Sequence, residues 1–115
     1  SPFDQASYGV FRAIHTLTAT GSGCPRLRPA QEEALRGAFG RVPGPEANDA
    51  IVPTLSQVWE EVIACAWGDH LDVLGHFDGG DTSGHNDWLR SLSGFTARDF
   101  GRVWGGVADF IAAAA

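Results

Sequence analysis

The chain has no lysine, no methionine and no long apolar run, and its 115 residues include one tyrosine and two cysteines. Its eight basic residues are therefore all arginine, and 14 acidic residues bring the formal net charge to −6. An acidic chain without a basic cluster binds poorly to a phosphate backbone or to an anionic membrane surface. The apolar runs are also shorter than the roughly 20 residues that span a bilayer. We therefore expect neither a nucleic-acid partner nor a membrane span.

The composition is typical of a folded protein, because hydrophobic residues make up 43% of the chain and charged residues 19%. Domains usually contain about 100–150 residues, so we predict a single small domain over residues 1–115. The sequence does not determine whether Cys24 and Cys65 form a disulfide, and two buried thiols are the simpler interpretation.

Four segments with helical spacing of apolar residues predict four helices. Proline or a capping box begins each of them, as helix starts favour. They cover residues 1–18, residues 29–40, a segment from Thr54 to about Ile63, and a segment that begins at Thr96. Residues 62–67 are equally compatible with the end of the third helix and with a short buried strand. We therefore predict an α/β fold that is mainly helical, with four helices and at most one or two short strands.

Residues 68–87 contain five Asp, three His and five Gly, and they include no lysine or arginine. A loop of this length in a small domain is often functional. Catalysis, a bound metal and simple solvation would each account for carboxylates beside imidazoles. A zinc site built from His70, His76 and His85 has no recognised ligand spacing.

Two short segments have the order and spacing of a catalytic acid and base. Asn48-Asp49-Ala50-Ile51-Val52 comes first, and His70-Leu71-Asp72 follows with His70 placed 21 residues after Asp49. These segments resemble the C-terminal part of bacterial triacylglycerol lipases and related esterases of the α/β-hydrolase family, over about residues 45–78. That family usually has glycine at the position of Ala50.

The resemblance implies that Asp49 orients His70 and that His70 transfers protons. In this family the nucleophile precedes the acid and the base, within a Gly-x-Ser-x-Gly motif. The chain lacks that motif, and we take Ser22, between two glycines, as the candidate nucleophile. The structural alternatives are a solvated loop histidine at position 70, an Asx turn at Asp49, and an ordinary loop serine at position 22.

The resemblance further implies a fragment-like, C-terminal portion of an α/β-hydrolase that hydrolyses short acyl esters. We predict no cofactor. The resemblance leaves a structural calcium ion at Asp72 as an open alternative, which is weakened because His76 stands where the family has a second oxygen donor. We expect a homo-oligomer from bacteria, soluble and either cytoplasmic or secreted. The alternatives are a non-catalytic hydrolase remnant that self-associates or binds a partner chain, and a metal-binding domain built on the acidic loop.

Overall fold

Three α-helices joined by irregular segments make up the part of the chain that the structure describes. A computed structural model of the chain describes residues 2–21, 25–58, 60–79 and 86–114. The helices are Pro2–Gly21 (α1), Pro29–Phe39 (α2) and Ala97–Ala114 (α3), with short 3-10 turns at Thr54–Gln57 and Asp72–Leu74. Across these ranges no strand forms, and the only pairing of that kind is one isolated antiparallel bridge between Asn48 and Pro53.

The predicted fold class, α/β with four helices and one or two strands, is therefore wrong. The third predicted helix stops after the 3-10 turn Thr54–Gln57, and Val58 is already extended (φ −88°, ψ 114°). A capping box needs the N–H of Thr54, but that group donates to the carbonyl of Ala47 (2.8 Å). The Gln57 side chain lies instead against Asp49 Oδ2 (3.4 Å). Neither a helix nor a strand forms in residues 62–67.

The other three helices form close to where the sequence predicts them, and local residues cap both ends of α2 and the start of α3. Pro29 is at the start of α2, and Gly40 ends it in the left-handed region (φ 78°), with its N–H bonded to the Arg36 carbonyl. At the start of α3 the N–H of Thr96 donates to Asp99 Oδ2 (3.0 Å). The hydroxyl of Thr96 donates to the same oxygen (3.0 Å). The two hydrogen bonds lower the pKa of the Asp99 carboxyl below its usual value.

The buried core lies mostly between the irregular segments. Phe77 is fully buried and its ring centroid lies 5.6 Å from those of Phe95 and Phe100. The other buried apolar residues are Leu35, Ala50, Leu55 and Leu89. The core therefore fixes the segments that follow α2 and precede α3, which are the segments that contain the candidate site.

The apolar stripe of α3 stays largely uncovered, since none of the residues of this helix is buried. Trp104, Phe110 and Ile111 are 43%, 41% and 64% exposed. Even so, none of the helices in the described part of the chain combines the length and apolar character needed to cross a membrane.

Candidate active site

The two carboxylate oxygens of Asp49 have different partners. Oδ1 accepts hydrogen bonds from the backbone N–H groups of Ile51 (3.0 Å) and Val52 (2.7 Å), which closes an Asx turn. Oδ2 lies 2.9 Å from Nδ1 of His70. The Asx turn therefore forms on one oxygen of Asp49, and the other oxygen contacts His70.

Two hydrogen bonds join His70 to Asp49 across 21 residues of chain. Besides the side-chain contact, the backbone N–H of His70 donates to the Asp49 carbonyl (2.8 Å). The side chain of Asp49 is 15% exposed and that of His70 is 33% exposed. No described residue forms a hydrogen bond with His70 Nε2. An ionised acid on Nδ1 favours the tautomer with the proton on that nitrogen, so the Nε2 lone pair is free to accept a proton.

Helix α1 holds the Asp49 turn in place. Thr18 Oγ1 donates to the carbonyl of Ala50 (2.7 Å), and Asn48 Nδ2 donates to the carbonyl of His15 (3.1 Å). Asn48 Oδ1 also accepts the N–H of Ala50 (2.9 Å). These contacts connect the acid to a regular helix, which is the kind of support that a positioned catalytic group needs.

Ala50 is fully buried and has a positive φ of 83°. Left-handed backbone geometry favours glycine, because a Cβ adds steric strain there. A glycine at this position would therefore adopt the same backbone conformation without that strain.

A cavity of about 270 Å³ lies beside Asp49, and His70 is not part of its lining. Asp49 and Gln57 contribute polar groups to its wall, and Phe39 and Trp67, which also line it, form an edge-to-face aromatic pair (centroids 5.1 Å apart). Small-molecule pockets usually measure about 300–1,000 Å³, so this cavity suits a small ligand with an apolar part.

The turn that carries His70 is closed by two buried carboxylates. Asp69 Oδ1 accepts the N–H groups of Leu71 (2.9 Å) and Asp72 (3.0 Å). Asp72 Oδ2 in return accepts the N–H of Asp69 (2.9 Å) and the hydroxyl of Ser93 (2.9 Å). This reciprocal arrangement orients the backbone on both sides of His70.

Asp87 completes a cluster with these two residues, because carboxylate oxygens of Asp69, Asp72 and Asp87 lie within 4.8 Å of one another. Burial, and then the charge of Asp69, raises the pKa of Asp72 to about 7 against the hydrogen bonds that lower it. Burial and the charge of Asp69 likewise raise the pKa of Asp87. The sequence analysis predicted Asp72 as a metal ligand but missed Asp69 and Asp87. The spacing of Asp69 and Asp72, which are three residues apart on one turn, is the sequence signal that could have identified Asp69.

Of the remaining predicted residues, those in the described part of the chain make no hydrogen bond with the pair. Ser22, Cys24 and His85 lie outside the described residues, so neither the nucleophile nor a disulfide is placed. Cys65 is a free, partly buried thiol, and burial raises its pKa while the charge of Arg102 lowers it. His76 is exposed and is not part of the carboxylate cluster.

Comparison with protein-family models, with curated proteins and with solved structures finds no match to this chain. The function is therefore argued from the geometry of the site.

Proposed function

We propose that this chain is a carboxylic ester hydrolase in which Asp49 orients His70 and His70 acts first as base and then as acid. The observation that supports this proposal is the 2.9 Å contact between Asp49 Oδ2 and His70 Nδ1. A lone loop histidine needs no partly buried carboxylate on that nitrogen. The resemblance of both segments to lipases and esterases agrees with the same roles.

In the proposed mechanism, His70 Nε2 removes the proton of a hydroxyl group whose oxygen attacks the ester carbonyl carbon. The imidazolium that forms is stabilised by Asp49, which stays ionised, and it gives the proton to the departing alcohol. Water then repeats the sequence on the acyl intermediate and releases the carboxylic acid. Ser22 remains the candidate nucleophile from sequence. A water molecule activated directly by His70 is the slower alternative, in which no acyl intermediate forms.

The cavity beside Asp49 supports short acyl esters as the substrate class. Its aromatic side, formed by Phe39 and Trp67, would pack against a short alkyl chain. Its volume of about 270 Å³ leaves little room for a long one. We propose no nucleic-acid partner, since the net charge is −6.

The calcium ion that the resemblance implies would be held by Asp72 and by the two carboxylates clustered with it. It would supply a structural cross-link, and the proton transfers would remain with His70.

Hydrolysis of p-nitrophenyl butyrate tests the proposal. We expect His70→Ala to lower kcat about 10²–10⁴-fold, which is the usual contribution of a positioned base. His76→Ala is the matched control, because this exposed histidine lies six residues further along the same segment. Ser22→Ala separates a serine nucleophile, whose loss abolishes acyl-enzyme formation, from water. Absence of turnover, or equal turnover in wild type and His70→Ala, would contradict the proposal.

The uncovered face of α3 favours a second candidate, a non-catalytic module that self-associates. Trp104, Phe110 and Ile111 are each more than two-fifths exposed, and an apolar face of this kind is a common mark of an interface. We propose a second copy of the chain as its partner. Light scattering over a range of concentrations tests this, and Ile111→Glu should shift the population to monomers. A monomer at all concentrations would exclude it.

A further inference from the structure

Helix α1 has an apolar stripe on the side that faces solvent. Phe3, Val10 and Leu17 follow one another at seven-residue spacing, and they are 56%, 52% and 72% exposed. Ala6 and Ala13 lie between them on the same side of the helix and are exposed as well. A surface helix normally turns charged or polar side chains toward water. We therefore expect another element to cover this side of α1.

No helix of the same chain covers that stripe. Across the described residues α1, α2 and α3 do not pack against one another, since no Cα atom of one lies within 8 Å of a Cα atom of another. The exposed side chains of α3, which are Trp104, Phe110 and Ile111, therefore have no helix against them either. The apolar stripe of a helix has to be buried against another element. Both α1 and α3 thus present a stripe that the chain itself leaves uncovered.

The surface area of the whole chain shows a matching excess. A folded monomer of 12.2 kDa exposes about 6,100 Å². This chain exposes 7531 Å², which is roughly 1,400 Å² more. Its radius of gyration, 15.0 Å, also exceeds the roughly 13 Å of a compact domain of this length. One subunit of a stable complex buries about 800 Å², so the excess is large enough for an interface.

We propose that α1 packs against α3 of a second copy, and that two-fold symmetry makes this contact twice in a closed dimer. The proposal builds on the self-association proposed for the α3 face. It names the surface that covers this face, which is α1 and not a second α3. It does not depend on the proposed hydrolase activity.

The two stripes have complementary shapes when the helices run antiparallel. In one antiparallel register Ala6 lies opposite Ile111 of the second copy. Seven residues further along α1 and seven residues back along α3, Ala13 lies opposite Trp104 of the second copy. Each bulky side chain then enters the space beside an alanine, as knobs enter holes between packed helices. Two copies of α3 would instead place bulky side chains against each other, and the α1 stripes would stay exposed.

Charge does not oppose this contact, although each copy has a formal net charge of −6. The arginine and the aspartate of α1 lie outside its stripe. Asp4 pairs with Arg90 (2.8 Å), and Arg12 donates to the Tyr8 hydroxyl (3.3 Å). Asp109 of α3 is on the other side of that helix from its stripe. Repulsion between two acidic copies is smallest where the surfaces that meet carry no charge.

Light scattering of the full chain over a range of concentrations tests the proposal without any substrate. We expect a dimer and no larger species, because a closed two-fold contact uses both stripes. Leu17→Glu and Ile111→Glu should each raise the dissociation constant at least about thirtyfold, since each places a charge inside the contact. Both residues are exposed, so circular dichroism should show folded variants. Gln5→Glu, at an exposed position outside the stripe of α1, is the matched control and should dimerise like the wild type.

Disulfide trapping under an added oxidant tests which helices meet. In a background with Cys24→Ser and Cys65→Ser, a mixture of Ala6→Cys and Ile111→Cys chains should form a covalent dimer. Neither variant should form one alone, because the contact joins α1 of one copy to α3 of the other. Asp109→Cys in place of Ile111→Cys is the control and should remain uncrosslinked.

Three results would overturn the proposal. Monomers at every concentration would leave both stripes to a different partner, and they would exclude self-association as well. Dissociation by Ile111→Glu but not by Leu17→Glu would show that α3 pairs with α3 of the second copy, so self-association would stand without α1. Covalent dimers of Ala6→Cys alone or of Ile111→Cys alone would likewise show that each helix meets its own copy.

Discussion

Replacing Asp49 with asparagine separates the two roles of this residue, because its two oxygens have different partners. The single amide oxygen of asparagine can take the place of Oδ1 and accept the N–H groups of Ile51 and Val52. The amide nitrogen then faces His70 Nδ1, where Oδ2 lay at 2.9 Å. An amide donor at that position forces Nδ1 to accept, and the ring proton moves to Nε2.

The expected effects on rate and stability differ strongly in size. A proton on Nε2 removes the base, so we expect kcat to fall about 10²–10⁴-fold, as it does when the acid of a Ser-His-Asp triad becomes an amide. The turn keeps its hydrogen bonds, so the free energy of unfolding should fall by less than about 1.5 kcal/mol. Asp49→Ala loses the turn bonds and the His70 contact together, and should cost about 2–4 kcal/mol.

Three assays on the same two variants check this reasoning. Hydrolysis of p-nitrophenyl butyrate gives kcat, chemical denaturation gives the free energy of unfolding, and ¹⁵N chemical shifts of the His70 ring report which nitrogen carries the proton. The ring shifts test the tautomer change even without turnover. Our reasoning is refuted if folded Asp49→Asn keeps more than about a tenth of the wild-type kcat, or if its His70 ring remains protonated on Nδ1.

Three further predictions concern the supports of the site and of the fold. Thr18→Val should lower the free energy of unfolding by about 1 kcal/mol, because the Ala50 carbonyl loses its 2.7 Å hydrogen bond. Denaturation curves should show a smaller change for Thr16→Val, whose hydroxyl bonds within α1 at an exposed position. Ala50→Gly should leave the free energy of unfolding within about 1 kcal/mol of wild type, since relief of the positive φ (83°) offsets the loss of one buried methyl group; a cost above about 3 kcal/mol would contradict this. The pKa of Asp99 is lowered in the folded state by Thr96, so its stabilising effect should be present above the unfolded pKa of about 3.9 and be lost as the pH falls through the folded value. The melting temperatures of wild type and Asp99→Asn should therefore converge in acid. A difference that stays constant with pH would contradict a stabilising role of the ionised Asp99.

Both ends of α2 and the start of α3 were predictable because neighbouring residues encode them. Pro29 and Gly40 mark the two ends of α2, and Thr96 with Asp99 forms a cap at the start of α3. Each of these signals acts within one turn of helix and needs no distant partner. Local sequence is therefore enough to predict them.

The third predicted helix failed because distant groups compete for the same residues. Its first N–H, that of Thr54, bonds the Ala47 carbonyl, and its Gln57 side chain lies against Asp49. An apolar stripe at helical spacing indicates which residues are buried. It does not exclude a tertiary contact that takes up the polar groups needed to cap the helix. Tertiary contacts override local preference in this way when they satisfy the same polar groups.

The Asp49 and His70 contact was predictable and the acidic cluster was not. The contact was implied by the resemblance of the two segments to the acid and base segments of lipases. The cluster depends on Asp87, and nothing in the sequence brings the segment around residues 86–95 next to Asp72. The Ser93 hydroxyl makes that approach visible in the structure, because it donates to Asp72 Oδ2 (2.9 Å).

Side chains that bond their own backbone take the place of regular structure on both sides of the candidate pair. Asn48 and Asp49 close one turn, and Asp69 and Asp72 close the other. A residue that both shapes a turn and presents a functional group gives an ambiguous result when it is truncated, because fold and chemistry are lost together. His70 is different, since no turn hydrogen bond of the described residues depends on its side chain. Asp87, in contrast, accepts a hydrogen bond from the backbone of Leu89. Substitution of His70 therefore tests the chemistry of the pair most directly, and loss of structure in that variant would show that the turns depend on its contact with Asp49.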